Sequence, residues 1–189
     1  MNFENAIIEA KKFLGNEKYA GFDIKFIKNN SIKKLSITKN YNEIEVRYCE
    51  QVSAFFALSY IAEHNKKVSY SKTFNKKFLH NGFMHDCSRN GTLNLQKIHE
   101  MILVSSLYGL DRFYLYIEDL YEIDDEPYFG YLRGRYTKEE IKDMCDYAFG
   151  FGVEIIPCIQ TLSHLNAPLR WRTYEKVRDT ERTLLANNQ

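Results

Sequence analysis

The sequence predicts an α/β protein in which a small α+β unit precedes a run of parallel β/α units. Residues 1 to about 75 mix short alternating segments with apolar helix faces. From residue 81 onward, continuous apolar strands take turns with helices. Between them, residues 66–77 are basic, polar and without clear period, which marks them as a connector.

In chain order, Phe3, Ala6, Ile7, Ala10 and Phe13 or Leu14 recur at helical spacing, and Gly15-Asn16 is a stop signal. Phe22, Ile24 and Phe26 alternate with Asp23 and Lys25 as a strand does. Residues 31–38 offer a second strand after an Asn29-Asn30 turn, and Ile44, Val46 and Tyr48 alternate with charged residues in a third. Residues 50–64 carry an apolar helix face through Val52, Phe55, Phe56, Leu58, Ser59 and Ile61 or Ala62. In the second half, 83–87 is a short apolar strand, 93–108 a helix with Leu95, Ile98, Ile102 and Leu103 inward, and 112–117 an aromatic strand. Thr137 to Glu140 is a capping box that opens a helix to about Phe149, closed by Gly150 and Gly152. Residues 153–159 form the third apolar strand. All three strands should be parallel, with right-handed connections.

Composition narrows the functional classes. With 189 residues the chain fits one large domain or two small ones, here 1–78 and 79–189. A formal net charge of +1 gives no field for nucleic acid or an acidic membrane, and no apolar stretch approaches the ~20 residues of a membrane span. The N-terminal MNFENAIIEAKKFLG lacks the basic start and apolar run of a secretory signal. Cys49, Cys87, Cys145 and Cys158 have spacings that suit neither a zinc site nor a disulfide framework. The expectation is a cytoplasmic protein with reduced thiols and neither metal nor cofactor.

Sites in parallel β/α folds collect at the C-terminal ends of the strands. Those ends read Asp86-Cys87-Ser88-Arg89, Glu118-Asp119-Leu120-Tyr121 and Gln160-Thr161-Leu162-Ser163-His164. Strand alternation sends Glu118 and Asp119 to opposite faces and aligns Glu118 with Tyr116 and Tyr114. Asp86 with Arg89 reads either as a local ion pair or as part of a site, Glu118 either as a solvated strand end or as a site carboxylate, and His164 either as structural or as functional. His64, His80 and His99 read as surface or helix-face residues. The run from Gly130 to Gly134 lacks the Lys-Ser/Thr of a phosphate loop, and no nucleophile elbow occurs.

Three runs carry more information: GFMHDCSRN at 82–90, YIEDLYEI with PYFGYLRGRYTKEEI at 116–141, and IPCIQTLSHL at 156–165. Together they resemble the opening of the catalytic barrel of family 20 glycoside hydrolases, the β-N-acetylhexosaminidases. The preceding unit, ending in FFALSYIAEH, is similar to the small non-catalytic domain which that family carries before its barrel. The resemblance implies the first three β/α units of a truncated (β/α)8 TIM barrel. It also implies a retaining mechanism in which the acetamide of an N-acetylhexosaminide substrate attacks its own anomeric carbon. An Asp-Glu pair at the end of the fourth strand orients the acetamide and supplies the general acid; no residue here matches it, so no catalytic residue is assigned. By matching position Asp86, Arg89, Glu118 and His164 are the supporting shell, with Glu118 and His164 a relay that brings carboxylate and imidazole together directly or through one water. Two positions depart from the family: Asn81 stands where an Arg is usual, and His85 where an apolar residue is usual, facing away from Asp86 and needing a partner. The chain alone is expected to be inactive, with open sheet edges that invite a partner chain or self-association.

Overall fold

The computed structural model describes residues 1–31 and 33–178. Helix α1 (Phe3–Leu14) is capped by the Asn2 side chain, which accepts from the Asn5 N–H at 2.9 Å, and it buries Ala6, Ile7 and Ala10. A 3₁₀ turn leads to β1 (Asp23–Lys28), β2 (Lys34–Asn40) and β3 (Glu43–Tyr48), then to α2 (Gln51–Glu63) and β4 (Ser69–Asn75). The sheet order is β1-β3-β2-β4, with β1 and β3 parallel and the other pairs antiparallel. Leu35, Ile37, Ile44, Val46 and Tyr48 point into the core, while Ser, Thr and charged residues line the other face.

The connector expected over 66–77 is in large part strand β4. Its sequence SYSKTFN alternates, with Tyr70 and Phe74 half-buried and the small polar residues between them exposed. It pairs with β2 alone, as an edge strand, so only two side chains had to be apolar. The second strand also starts later than expected, at Lys34; Ile32 lies outside the described residues.

The second half runs β5 (Gly82–Asp86), α3 (Leu95–Leu107), β6 (Arg112–Tyr116), α4 (Lys138–Phe151) and β7 (Glu154–Cys158), followed by a short helix α5 (Asn166–Leu169) and a 3₁₀ segment at Arg172–Val177. β5, β6 and β7 form a sheet in that order with all pairs parallel. The register defines two faces. Phe83, Phe113 and Ile155 align in one row and His85, Leu115 and Pro157 in the next; Phe113 and Leu115 are buried. The opposite face aligns Met84 with Tyr114 and Ile156, and Asp86 with Tyr116 and Cys158; Met84 is 58% exposed there.

α2 is apolar nearly all round because the first sheet, α1, α3 and α4 all pack against it. Phe55 of α2 meets Phe151 of α4 with ring centroids 5.0 Å apart, both rings fully buried, each worth roughly 1.5–3 kcal/mol on burial. One contiguous core therefore runs from the first sheet through α2 to α3, α4 and the second sheet. The capping box on α4 forms as expected between Thr137 and Glu140. Gly150 does not end that helix: it is the last-turn position on which Met1 packs, where a Cβ would sit 2.9 Å from that of Met1. The stop is Gly152 at φ 69°, and Gln51 donates to the Phe149 and Gly150 carbonyls at 3.0 and 2.7 Å.

Candidate functional site

Because β5, β6 and β7 are parallel, their C-terminal ends share one edge, and the polar strand ends converge there. β5 ends at Asp86, whose carboxylate accepts from the Ser88 N–H at 2.8 Å, the Ser88 hydroxyl at 2.6 Å and Arg89 Nη1 at 2.9 Å. Desolvation pushes its pKa up, but these donors outweigh it and hold the carboxyl below the usual range. His85 faces the other way, and its ring finds a partner in the Gly91 carbonyl at 3.2 Å.

Regular strand stops at Tyr116, and the next residues turn: Leu120 N–H donates to Ile117 O at 2.7 Å and Glu118 adopts φ 48°. The opposite-face expectation for Glu118 and Asp119 therefore fails, because alternation requires an extended backbone. Both carboxylates face one guanidinium. Arg133 Nη1 lies 3.2 Å from Asp119 Oδ1 without hydrogen-bond alignment, Nη2 lies 3.8 Å from Glu118 Oε2, and Nη2 also donates to the Ser88 carbonyl. Asp119 is 2% exposed; burial raises its pKa, with Arg133 acting against that. Glu118 Oε1 accepts from the Tyr116 hydroxyl at 3.2 Å and lies 3.8 Å from Arg89 Nη1. Gln160, after β7, donates to the Tyr116 hydroxyl at 2.5 Å, linking the second and third strand ends.

These groups surround an open pocket of about 210 Å³. Ser88 and Arg89 enter it from the end of β5, Glu118 from the end of β6, Arg133 from the long β6–α4 loop, and His164, Asn166 and Ala167 from the segment after β7. Three of the four sequence-predicted residues thus meet in one cavity. Asp86 stands one step back and does not line it, acting on Arg89 and Ser88. Glu118 and His164 share the pocket, but no hydrogen bond or ion pair joins them; the Glu118 oxygens are met by Tyr116, Arg89 and Arg133. His164 sits at φ 55°.

Arg133, Ser88 and Asn166 were not anticipated. The signal for Arg133 was the pair of glycines around it. Gly130 has φ 65° and packs so closely that a Cβ would lie 2.1 Å from the Asp119 carbonyl oxygen, so the bend that aims Arg133 inward needs glycine there. Asn81, at the opposite end of β5, starts roughly 16 Å from the Asp86 level at ~3.3 Å per residue. Its backbone N–H is bound to Asp111 Oδ1 at 2.8 Å. The Asp125-Glu126 dipeptide lies in the β6–α4 loop outside the pocket lining, with Glu126 accepting from the Tyr174 hydroxyl at 2.9 Å. Among the described residues no cluster of His, Cys, Asp and Glu has the make-up of a metal site, and no helix is long and apolar enough to cross a membrane.

No protein-family model matches the sequence, and no curated protein matches it. Solved structures do match the fold. The N-acetyl-β-hexosaminidase of Streptomyces plicatus superposes with a TM-score of 0.69 at 14% identity, over 89% of this chain and 42% of that one. The chain carries the fold of family 20 glycoside hydrolases. The family 20 exo-β-N-acetylglucosaminidase of Vibrio harveyi gives a TM-score of 0.67 at 18% identity, over 90% of this chain and 33% of that one. The β-N-acetylhexosaminidase of Bacteroides fragilis gives 0.65 at 19%, over 78% and 35%. This chain therefore spans between a third and somewhat over two fifths of the length of these family 20 structures.

Proposed function

We propose that the chain is the N-terminal portion of a β-N-acetylhexosaminidase-like hydrolase that acts on terminal N-acetylhexosamine units by a retaining, substrate-assisted route. On this reading, residues 1–78 are the non-catalytic domain and residues 79–189 begin a TIM barrel. The observation that carries the reading is the convergence of Arg89, Glu118 and His164 in one pocket at the C-terminal ends of three parallel strands. That is where such a barrel builds its site. Arg89, steadied by Asp86, offers guanidinium donors to sugar hydroxyls. Glu118, fixed by Tyr116 and flanked by two arginines, orients and charges its neighbours, and His164 stands ready to pass that influence to a general acid contributed by a later strand. Chemistry itself falls to the acetamide of the substrate and to an Asp-Glu pair that no position in these 189 residues matches. The four cysteines are free, as a reducing cytoplasmic setting would keep them.

A second reading, an assembly module, is favoured by the uncovered sheet face. Among the described residues β5 and β7 each have a single neighbour, and the row of Met84, Tyr114 and Ile156 has no layer packed over it, with Met84 exposed and the other two half-buried. Strands supplied by a partner chain or by further sequence would pair with these edges. One assay separates the outcomes, using an aryl N-acetylhexosaminide with this chain alone and with a chain carrying the later barrel strands. The hydrolase reading expects turnover only in the mixture or fused form, falling by at least about 100-fold in Glu118→Gln, the low end of acid–base contributions. A folded, stoichiometric complex without turnover would favour the assembly module.

A further inference from the structure

We propose that the lysine-rich end of the first sheet, with the bend that follows it, docks on an anionic lipid bilayer. The total charge of +1 is the sum of two unlike halves. Residues 1–78 hold thirteen Lys and one Arg against eight carboxylates, a net +6, whereas residues 79–189 hold twelve cations against seventeen carboxylates, a net −5. The field that the whole chain lacks is therefore present on its first unit. Sheet register gathers part of the excess at one end. Lys28 closes β1 opposite Tyr48 at the end of β3, and Lys34 opens β2 opposite Asn75 at the end of β4. Lys33 and Lys77 extend the same end by one and two residues, and Lys72 lies on the edge strand β4. Three strand spacings of about 4.8 Å spread these lysines over roughly 14 Å. All five are exposed, and among the described residues none has an ion-pair partner. The nearby acids are already engaged, Glu50 and Asp111 by Lys76 at 2.6 and 3.3 Å and Glu45 by Arg47 at 2.5 Å.

Apolar side chains stand beside the lysines. The chain bends at Phe78 and Leu79, 68% and 78% exposed, directly after Lys77. Tyr108, 74% exposed, precedes Gly109; a Cβ on Gly109 would lie 3.5 Å from Phe56, whose ring meets Phe74 at 5.0 Å beneath Lys72. The bend is anchored on both sides, by Lys76 on Glu50 and Asp111 and by the Asn81 N–H, which donates to Asp111 at 2.8 Å. Held between those anchors, Phe78 and Leu79 take no part in the core. Side chains presented by a fixed backbone lose little freedom on docking.

The combination selects a bilayer. Lysine is a compact, hydrated point charge on a flexible stem, which suits a mobile array of headgroups; recognition of a nucleic-acid phosphate favours the planar guanidinium. The first unit has a single Arg, and Glu45 holds it. Leu79 offers no ring for a base to stack on, but it and Phe78 can enter the acyl boundary while the lysines stay among the headgroups. The pocket fits this placement. β5 starts at Gly82, just past the bend, and the Asp86 level lies roughly 16 Å along it at ~3.3 Å per residue, so the pocket sits at the end of the sheet away from the lipid. The surface stands whether or not the hydrolase reading does.

Flotation of the full 189-residue chain with vesicles tests the surface, using phosphatidylcholine alone and phosphatidylcholine mixed with an equal part of phosphatidylglycerol, at low and at high salt. Binding should require the anionic lipid and weaken as salt screens the lysines. Lys33→Gln with Lys34→Gln should weaken it about 25-fold, at about fivefold per lysine. The same two charges removed at the opposite end of the sheet, in Lys66→Gln with Lys67→Gln, should cost less than about fivefold in all. Phe78→Ser with Leu79→Ser should weaken binding about tenfold and leave its salt dependence in place. All six residues are exposed, so urea midpoints should match the parent's. Equal losses from the two lysine pairs would overturn the surface in favour of net charge alone. Absence of binding, or equal binding to both kinds of vesicle, would also overturn it. Tighter capture of a single-stranded oligonucleotide would assign the lysines to nucleic acid instead. A dimer in sedimentation equilibrium that the Lys33 and Lys34 changes dissolve would assign them to the acidic half of a second copy.

Discussion

The two ends of the three-stranded sheet use charge in opposite ways. At the N-terminal end, buried Asp111 accepts from the Asn81 N–H at 2.8 Å and His80 at 3.0 Å, with Lys76 at 3.3 Å; Lys76 also reaches Glu50 at 2.6 Å, and Arg112 reaches Glu154 at 3.0 Å. That network stitches the last strand of the first sheet and the start of α2 to β6, and it contains no left-handed non-glycine residue. At the C-terminal end the charges surround open space. Of the six non-glycine residues with positive φ among the described residues, five follow β5, β6 or β7: Asn90, Glu118, Asp125, Leu132 and His164. Such conformations cost stability and persist where the surroundings enforce them, which is the pattern of a site rather than of a joint. One end of the sheet holds the molecule together, and the other holds side chains in place.

Substitutions at the pocket loops that remove the enforcing contacts give the largest expected effect. Gly130→Ala combines positive φ with a Cβ 2.1 Å from the Asp119 carbonyl oxygen, and should cost about 3 kcal/mol or more in urea unfolding. Gly134→Ala, also at φ 65° but with nothing within 4 Å, should cost only about 1 kcal/mol. Similar losses at both would mean that the loop is free to move and does not aim Arg133.

Arg133→Met should follow at about 3 kcal/mol near pH 7, since it leaves the Asp119 carboxylate buried without its cation. The sign with pH is set by burial, which raises the Asp119 pKa in the fold, more so without Arg133. As pH falls through that raised value the folded state takes up the proton and the penalty fades, vanishing near the unfolded value of about 3.9; above the raised value the penalty is present in full. The deficit of Arg133→Met against the parent should therefore shrink as pH falls through the raised Asp119 value in thermal or urea titrations. A deficit independent of pH would assign Arg133 a packing role only.

At the other end, Asp111→Asn should cost about 2 kcal/mol, because the network loses its anion while its partly exposed cations can turn to water. The pH trend runs the opposite way. Burial pushes Asp111 up, but the Asn81 N–H, His80 and Lys76 outweigh it and hold its pKa below the usual range. Its contribution is complete above the unfolded value of about 3.9 and is lost as pH falls through the lower folded value, so parent and variant should converge only below about pH 4. Convergence already at pH 6 would show that the network does not hold Asp111 ionised.

The legibility of these two ends in the sequence differed for physical reasons. The parallel strands and α4 were readable because their patterns are local: runs such as RFYLY, and a capping box closed between Thr137 and Glu140. β4 was not, since an edge strand with one buried face needed only Tyr70 and Phe74. Arg89, Glu118 and His164 were legible as polar strand ends, and they do share a pocket. The shared Arg133 contact of Glu118 and Asp119 was hidden, because it follows from a left-handed residue at 118 that no periodicity announces. Asp111 was likewise silent, its partners lying some 30 residues or more away in sequence.

The division of labour between the two ends is tested most directly by backbone amide shifts of the 189-residue chain titrated with N-acetylglucosamine, with glucose as control. Shifts should concentrate at Ser88, Arg89, Glu118, Arg133, His164 and Asn166, weaken in Glu118→Gln, and leave Asn81, Asp111 and Arg112 still. Shifts centred on the Asp111 network, or equal responses to both sugars, would contradict the assignment of the C-terminal end as the sugar-binding one.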